Sequence, residues 1–242
     1  MKKILIIMSL MFLLMGNANA MTLSPTGNTN VKRGDTISVY LTLKRSESEK
    51  KISAVDGKIS FDESRIIFDK REGLIEGWTS LSDISNNGPF NFSNFKFDNL
   101  ISETSKNIVT MKYKVKDDAP FGNSTITISN VSATDEKGDL VNISGGSFTY
   151  KVLSNIDTLK EIKINDEIIE GFNENTKKYT KNVSGNTSKV NISVTKKDNT
   201  ETVTGTLDNI ELKYGENKIN IIVTSEAGTK STYEITINRE DN

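Results

Sequence analysis

The chain has no cysteine and no histidine among its 242 residues, and only three prolines and one tryptophan. The lack of cysteine excludes disulfide staples, thiolate nucleophiles and thiolate-held metals, so the fold must be held by apolar burial. The lack of histidine removes the usual general base of nucleophilic triads and the commonest metal ligand. Neither sign of charge is in excess: 31 Lys and Arg stand against 32 Asp and Glu, interspersed along the chain, for a net charge of −1. That balance argues against nucleic acid and against a polybasic membrane surface as partners. Helical periodicity is almost missing, and no apolar run beyond residue 20 approaches the length of a membrane-spanning helix.

What is present begins with a leader. Lys2 and Lys3 precede an apolar run from Ile4 to Met15, and Ala18-Asn19-Ala20 supplies small residues at a cleavage site. This pattern predicts a signal peptide over residues 1–20, cut after Ala20. The mature chain then carries −3, and its polar end, Asn238 to Asn242, offers no C-terminal anchor. A secreted, extracellular product, free or held at the cell surface, is expected, with length for two domains of about 100 residues each.

The most informative run is Ile52 to Phe68. Val55, Gly57, Ile59 and Phe61 alternate with Ala54, Asp56, Lys58 and Ser60, the period of a half-buried strand. Asp62-Glu63-Ser64 then breaks the run before a second apolar strand at Ile66-Ile67-Phe68. Similar alternation marks Ile37 to Leu43, Val109 to Val115, Ile126 and Ile128, and Phe148 to Val152. Lys44 to Lys51 reads as a solvated charged loop, and Asn87-Gly88 as a hairpin turn. Phe90, Phe92, Phe95 and Phe97 read as core at strand spacing, with a phase slip at Ser93-Asn94 that predicts a bulge. Short strands, frequent turns and prolines at strand boundaries predict an all-β protein of two tandem β-sandwiches. The first spans residues 21–152, a polar linker residues 153–158, and a smaller sandwich residues 159–242.

Two family resemblances follow from these residues. Val31 to Val39, Gly57 to Asp62, Lys114 to Gly122 and Gly146-Ser147-Phe148 resemble the cohesin domain of bacterial extracellular scaffolds. That resemblance implies a jelly-roll sandwich whose role is to bind dockerin modules on other secreted proteins, often glycoside hydrolases. Tyr179, Thr202 to Gly205, Tyr214 to Ile219, Val223 to Thr229 and Tyr233 to Ile237 look like the bacterial cadherin-like β-sandwich family. This second likeness implies an accessory module of Ig/cadherin-like form; the calcium motifs of true cadherins are not matched.

No constellation favours catalysis. The acid pairs Asp117/Asp118 and Asp135/Asp139 lie in turns, where carboxylates commonly support the backbone, and the spacing of known calcium loops is not met. The expectation is therefore a non-enzyme with no cofactor and no metal. By the cohesin resemblance, Asp56 takes the place of the Asp in the Asn-x-Asp pair of type I members. Ala54 replaces the Asn, and Glu63 a corner Pro. Asp56, Lys58 and Ser60 are thus the candidate partner-binding residues, or simply the wet face of a strand. The expected interface has an aliphatic centre and a polar rim. The partner implied is a dockerin-bearing secreted protein. Alternatives are polysaccharide binding in a polysaccharide-degradation context, with Trp78 as the exposed ring, and a structural cell-surface adhesin.

Overall fold

The computed structural model describes residues 21–45, 50–82 and 87–241. The leader at 1–20, the centre of the charged loop at 46–49, residues 83–86 and residue 242 lie outside the described residues. The described chain is all strand and loop and divides into two units, the first ending at Lys151 and the second beginning at Val152.

In the first unit the strands are β1 (Met21–Gly27), β2 (Asn30–Val31), β3 (Thr36–Lys44), β4 (Ile52–Ser60), β5 (Ile66–Glu72), β6 (Thr79–Ser80), β7 (Gly88–Ser93), β8 (Ser105–Val115), β9 (Gly122–Asp135), β10 (Leu140–Val141), β11 (Ile143–Gly145) and β12 (Ser147–Val152). They form two sheets, β11-β1-β3-β8-β5 and β2-β12-β9-β4-β7-β6, with β10 paired to β9. Inward residues of both, among them Ile37, Val39, Leu41, Val55, Ile59, Phe92, Tyr113, Ile126 and Tyr150, are almost fully buried and make the core. The corner at Asp62–Ser64 carries the chain from one sheet to the other. Asp62 fixes it by accepting the Ser64 N–H at 2.9 Å and the Arg65 Nε–H at 2.9 Å.

Gly57 permits a close approach within this core. A Cβ there would sit 2.6 Å from Phe90 Cζ and 3.0 Å from Val131 Cγ1. Opposite it, Asp56 pairs with Ser132 but Lys58 with Ser129, so Asn130 and Val131 bulge across from one residue. Asn130, at φ 51°, takes the left-handed conformation that bends β9.

Several expectations are corrected. Asn87-Gly88 is no two-residue hairpin: the Asn87 amide instead brackets the backbone of Phe61, accepting its N–H and donating to its oxygen. Phe90 and Phe92 are core, but β7 ends at Ser93 and Phe95 and Phe97 are 62% and 53% exposed. No bulge continues the strand there; the buried Asn94 turns the chain by accepting the N–H groups of Lys96 and Phe97. Arg45, read as part of a solvated loop, is buried, and its guanidinium donates to the carbonyls of Lys50, Ile101 and Glu103.

The second unit comprises β13 (Leu159–Ile164), β14 (Glu167–Ile168), β15 (Lys178–Val183), β16 (Lys189–Val190), β17 (Ile192–Lys196), β18 (Thr202–Thr204), β19 (Ile210–Glu211), β20 (Gly215–Thr224) and β21 (Lys230–Arg239). Sheets β14-β13-β17 and β15-β21-β20-β18 enclose a core of Leu159, Ile162, Ile192, Ile221, Val223, Tyr233, Ile235 and Ile237, beside a short β16-β19 pair. The Tyr233 hydroxyl joins three segments, accepting from the Leu159 N–H and Lys177 Nζ and donating to Glu174 O, all within 3.0 Å. Residues 153–158 contain no strand, yet Ser154 accepts the Ala227 N–H at 2.8 Å and Asn155 the Thr229 hydroxyl at 3.1 Å. That stretch is fastened to the 225–229 turn.

Two predictions follow from this packing. Gly57→Ala should lower the unfolding free energy by about 1–3 kcal/mol, because Phe90 and Val131 have to move; denaturant melts of wild type and variant measure it. Glu201 is buried, with Oε2 accepting the Lys197 N–H at 3.2 Å and Oε1 without a hydrogen-bond partner among the described residues. Burial pushes its carboxyl above the ordinary range. Between the ordinary and the raised value the folded chain holds the proton that the unfolded chain releases, so stability falls as pH rises through that window. Glu201→Gln should flatten that part of a stability profile measured by thermal melts across pH.

Candidate partner-binding face

The outward side of β9-β4-β7-β6 places Asp56, Lys58 and Ser60 in successive rows. Ala54 lies between Thr134 and Ser93, Asp56 between Ser132 and Asn91, Lys58 between Ser129 and Pro89, and Ser60 beside Thr127. Lys58 is exposed, and Asp56 and Ser60 are half-buried.

Asp56 is held from both flanking strands. Asn91 Nδ2 donates to its Oδ1, and Ser132 Oγ donates to its Oδ2 at 3.4 Å. Asn91 is fixed in turn, its Oδ1 accepting the Ser93 hydroxyl at 2.9 Å and its N–H donating to Ser82 Oγ at 2.8 Å. The place of the missing type I Asn is Ala54, but a side-chain amide reaches Asp56 from the next strand. Sequence reasoning missed Asn91; its signal was a polar residue between the buried Phe90 and Phe92.

Aliphatic groups stand at the margins rather than the centre. Leu81, 64% exposed, donates its N–H to Asn91 O at 3.3 Å, and Leu140, 79% exposed, pairs with Thr134. The expected aliphatic centre is corrected: short hydroxyls and the Asp56–Asn91 pair fill the middle, because the outward positions of β4, β7 and β9 are mostly Ser, Thr, Asn and Asp.

Trp78 is corrected as well. Its ring is only 6% exposed, and its indole N–H donates to Asn99 O at 2.7 Å. The glycine-rich loop folds over the core, with Ile75 N–H bonded to Ile108 O, so no ring face is free for a sugar.

Of the acid pairs, Asp135 has structural work. Asp135 is buried; burial would raise its carboxyl, but the N–H groups of Asp139 and Lys137 and the Lys50 ammonium hold it below the ordinary range. Among the described residues no group of three or more Asp or Glu gathers to hold a metal ion.

The comparisons with known proteins agree with the two-unit division. The model of the cohesin domain family matches residues 21–152, and that of the cadherin-like beta sandwich domain matches residues 153–240. Similar solved structures include a type I cohesin–dockerin complex from Clostridium thermocellum, at 16% identity and TM-score 0.49, covering 56% of this chain and 100% of that one. A cohesin module of a Clostridium perfringens family 33 glycoside hydrolase aligns at 10% identity and TM-score 0.48, covering 55% and 97%. A non-cellulosomal cohesin from the archaeon Archaeoglobus fulgidus aligns at 11% identity and TM-score 0.44, covering 56% and 92%. No curated protein matches the chain.

Because the Trp78 ring is core, Trp78→Ala should cost about 3–5 kcal/mol of stability. The melt should show that loss, while Trp78→Phe, which mainly removes the bond to Asn99, should cost about 1–3 kcal/mol.

Proposed function

Through residues 21–152 the chain belongs to the cohesin family, and we propose that it is a secreted, non-catalytic adaptor whose first unit docks a dockerin-type module of another extracellular protein. The observation that carries this reading is the family match across the whole first unit. We assign the docking to the outward side of β9-β4-β7-β6, with Asp56, Lys58 and Ser60 joined by Asn91, Leu81 and Leu140.

The physics of that face suits a partner surface. Asp56 is already oriented by Asn91 and Ser132, so little side-chain entropy is lost when it accepts a donor from the partner. Lys58 adds an exposed cation one row away, which favours a partner with an acid opposite it. Leu81 and Leu140 are exposed apolar side chains whose burial adds about 1.5–3 kcal/mol each when complete. The partner is a secreted protein carrying a dockerin module, with glycoside hydrolases as the chemical class that the family's context favours. The second unit serves as a spacer or accessory binding module.

The test is a pull-down from the source organism's secretome, using wild type, Asp56→Ala, Lys58→Glu and Leu81→Ala. Wild type should recover proteins bearing dockerin-type repeats. Asp56→Ala should weaken binding by about 1–3 kcal/mol, roughly five- to 150-fold, because a donor in the interface is left unpaired. Equal recovery by all four proteins would remove this face from the mechanism, and recovery of no dockerin-bearing protein would remove the function itself.

A further inference from the structure

The outward side of the other sheet has a different chemistry. The registers of β1, β3, β8 and β5 put Thr26, Tyr40, Thr110 and Glu72 in one row. The next row holds Ser38, Lys112 and Lys70, and the one after it Lys114 beside Ile67. The two-residue period of β8 turns Lys112 and Lys114, interspersed in sequence, into neighbours about 7 Å apart on one face.

Negative charge in these rows is confined to Glu72, which is shared. Its carboxylate lies 2.6 Å from Lys70 Nζ and 3.8 Å from Lys112 Nζ. Lys112 Nζ is further steadied by donating to Ser38 Oγ at 2.7 Å. Lys114 is exposed and forms no ion pair among the described residues. Asp69, in the bulge of the edge strand, adds a second carboxylate beside Lys70, and Lys106, further along β8, is matched by Glu103 at 2.6 Å. Three ammonium groups, Lys70, Lys112 and Lys114, thus stand against the carboxylates of Glu72 and Asp69, and the excess positive charge of the face lies on the Lys114 side. Next to that cluster stands Tyr40, 43% exposed and flanked across the strands by the hydroxyls of Thr26 and Thr110.

We propose that this face binds a carboxylated polysaccharide, a polyuronate chain lying across β3 and β8. The lysine ammonium groups pair with the uronate carboxylates, and the Tyr40 ring packs on the apolar face of one sugar. Thr26 and Thr110, short and on either side of the ring, are placed to bond that sugar's hydroxyls. A sheet face with one ring and a small amine cluster suits a single extended sugar chain. A nucleic-acid duplex calls for a broader basic surface reaching many phosphates. The dockerin reading concerns the other sheet's outward side, so the two sites are independent and each is tested by its own variants.

The full chain is run in native gels containing polygalacturonate or neutral hydroxyethyl cellulose. Retardation is expected with polygalacturonate alone, weakening as salt screens the ammonium–carboxylate pairs. Lys70→Gln with Lys114→Gln should weaken binding about tenfold or more, and Tyr40→Ala should weaken it comparably. Lys178→Gln with Lys189→Gln, the same charge change placed in the second unit, and Asp56→Ala should leave it unchanged. Thermal melts confirm that each variant is folded, since all these side chains point outward. No retardation by polygalacturonate, equal loss in the Lys178/Lys189 pair, or full binding by Tyr40→Ala would each overturn the proposal.

Discussion

Phe90 lies against Gly57 with no room for even a methyl group between them, and Val131 closes the space from the bulge in β9. In a chain without cysteine, close contacts of this kind, here between neighbouring strands β7, β4 and β9 of one sheet, are what hold the fold together. This one also sets the site. The bulge shifts the pairing of β9 by one residue, so that Ser132 meets Asp56 and Ser129 meets Lys58. The inward contact and the outward presentation of Asp56 are two sides of the same strand, fixed by one pleat.

The two outward faces of the first unit show how a balanced sequence yields unlike surfaces. Charges of both signs alternate along the chain, yet a strand sends every second residue to the same side. Around Asp56 this gives hydroxyls and an amide–carboxylate pair. Beside Tyr40 it gathers Lys70, Lys112 and Lys114, the first two sharing Glu72. The first is the proposed docking face and the second the proposed polyuronate face. Neither depends on a buried catalytic group.

The second unit meets the lack of disulfides in another way, with tyrosines as fasteners. The Tyr233 hydroxyl ties Leu159, Lys177 and Glu174 while its ring lies in the core, and the Tyr179 hydroxyl donates to Asn173 O at 2.7 Å. Glu201 is the exception in this packing, a buried carboxyl with one oxygen unpartnered among the described residues.

Much of this was legible in the sequence. Alternation at Ile37–Leu43, Ala54–Phe61 and Val109–Val115 determined which side chains face the core, because a strand's period is a local property. The corner after Phe61, the all-β class and the family resemblance followed from the same local signals. Partners across strands were not legible. Asn91 beside Asp56, Glu72 between Lys70 and Lys112, and Asn87 on the backbone of Phe61 depend on register, which long-range pairing decides. The fates of Trp78, Phe95 and Phe97 also lay outside local pattern. Loop closure buries the tryptophan, and the Asn94 turn ends the strand before the two phenylalanines can reach the core. Sequence alone determined the faces; tertiary structure decided which residues share them, because hydrogen-bond register joins strands that the chain keeps far apart.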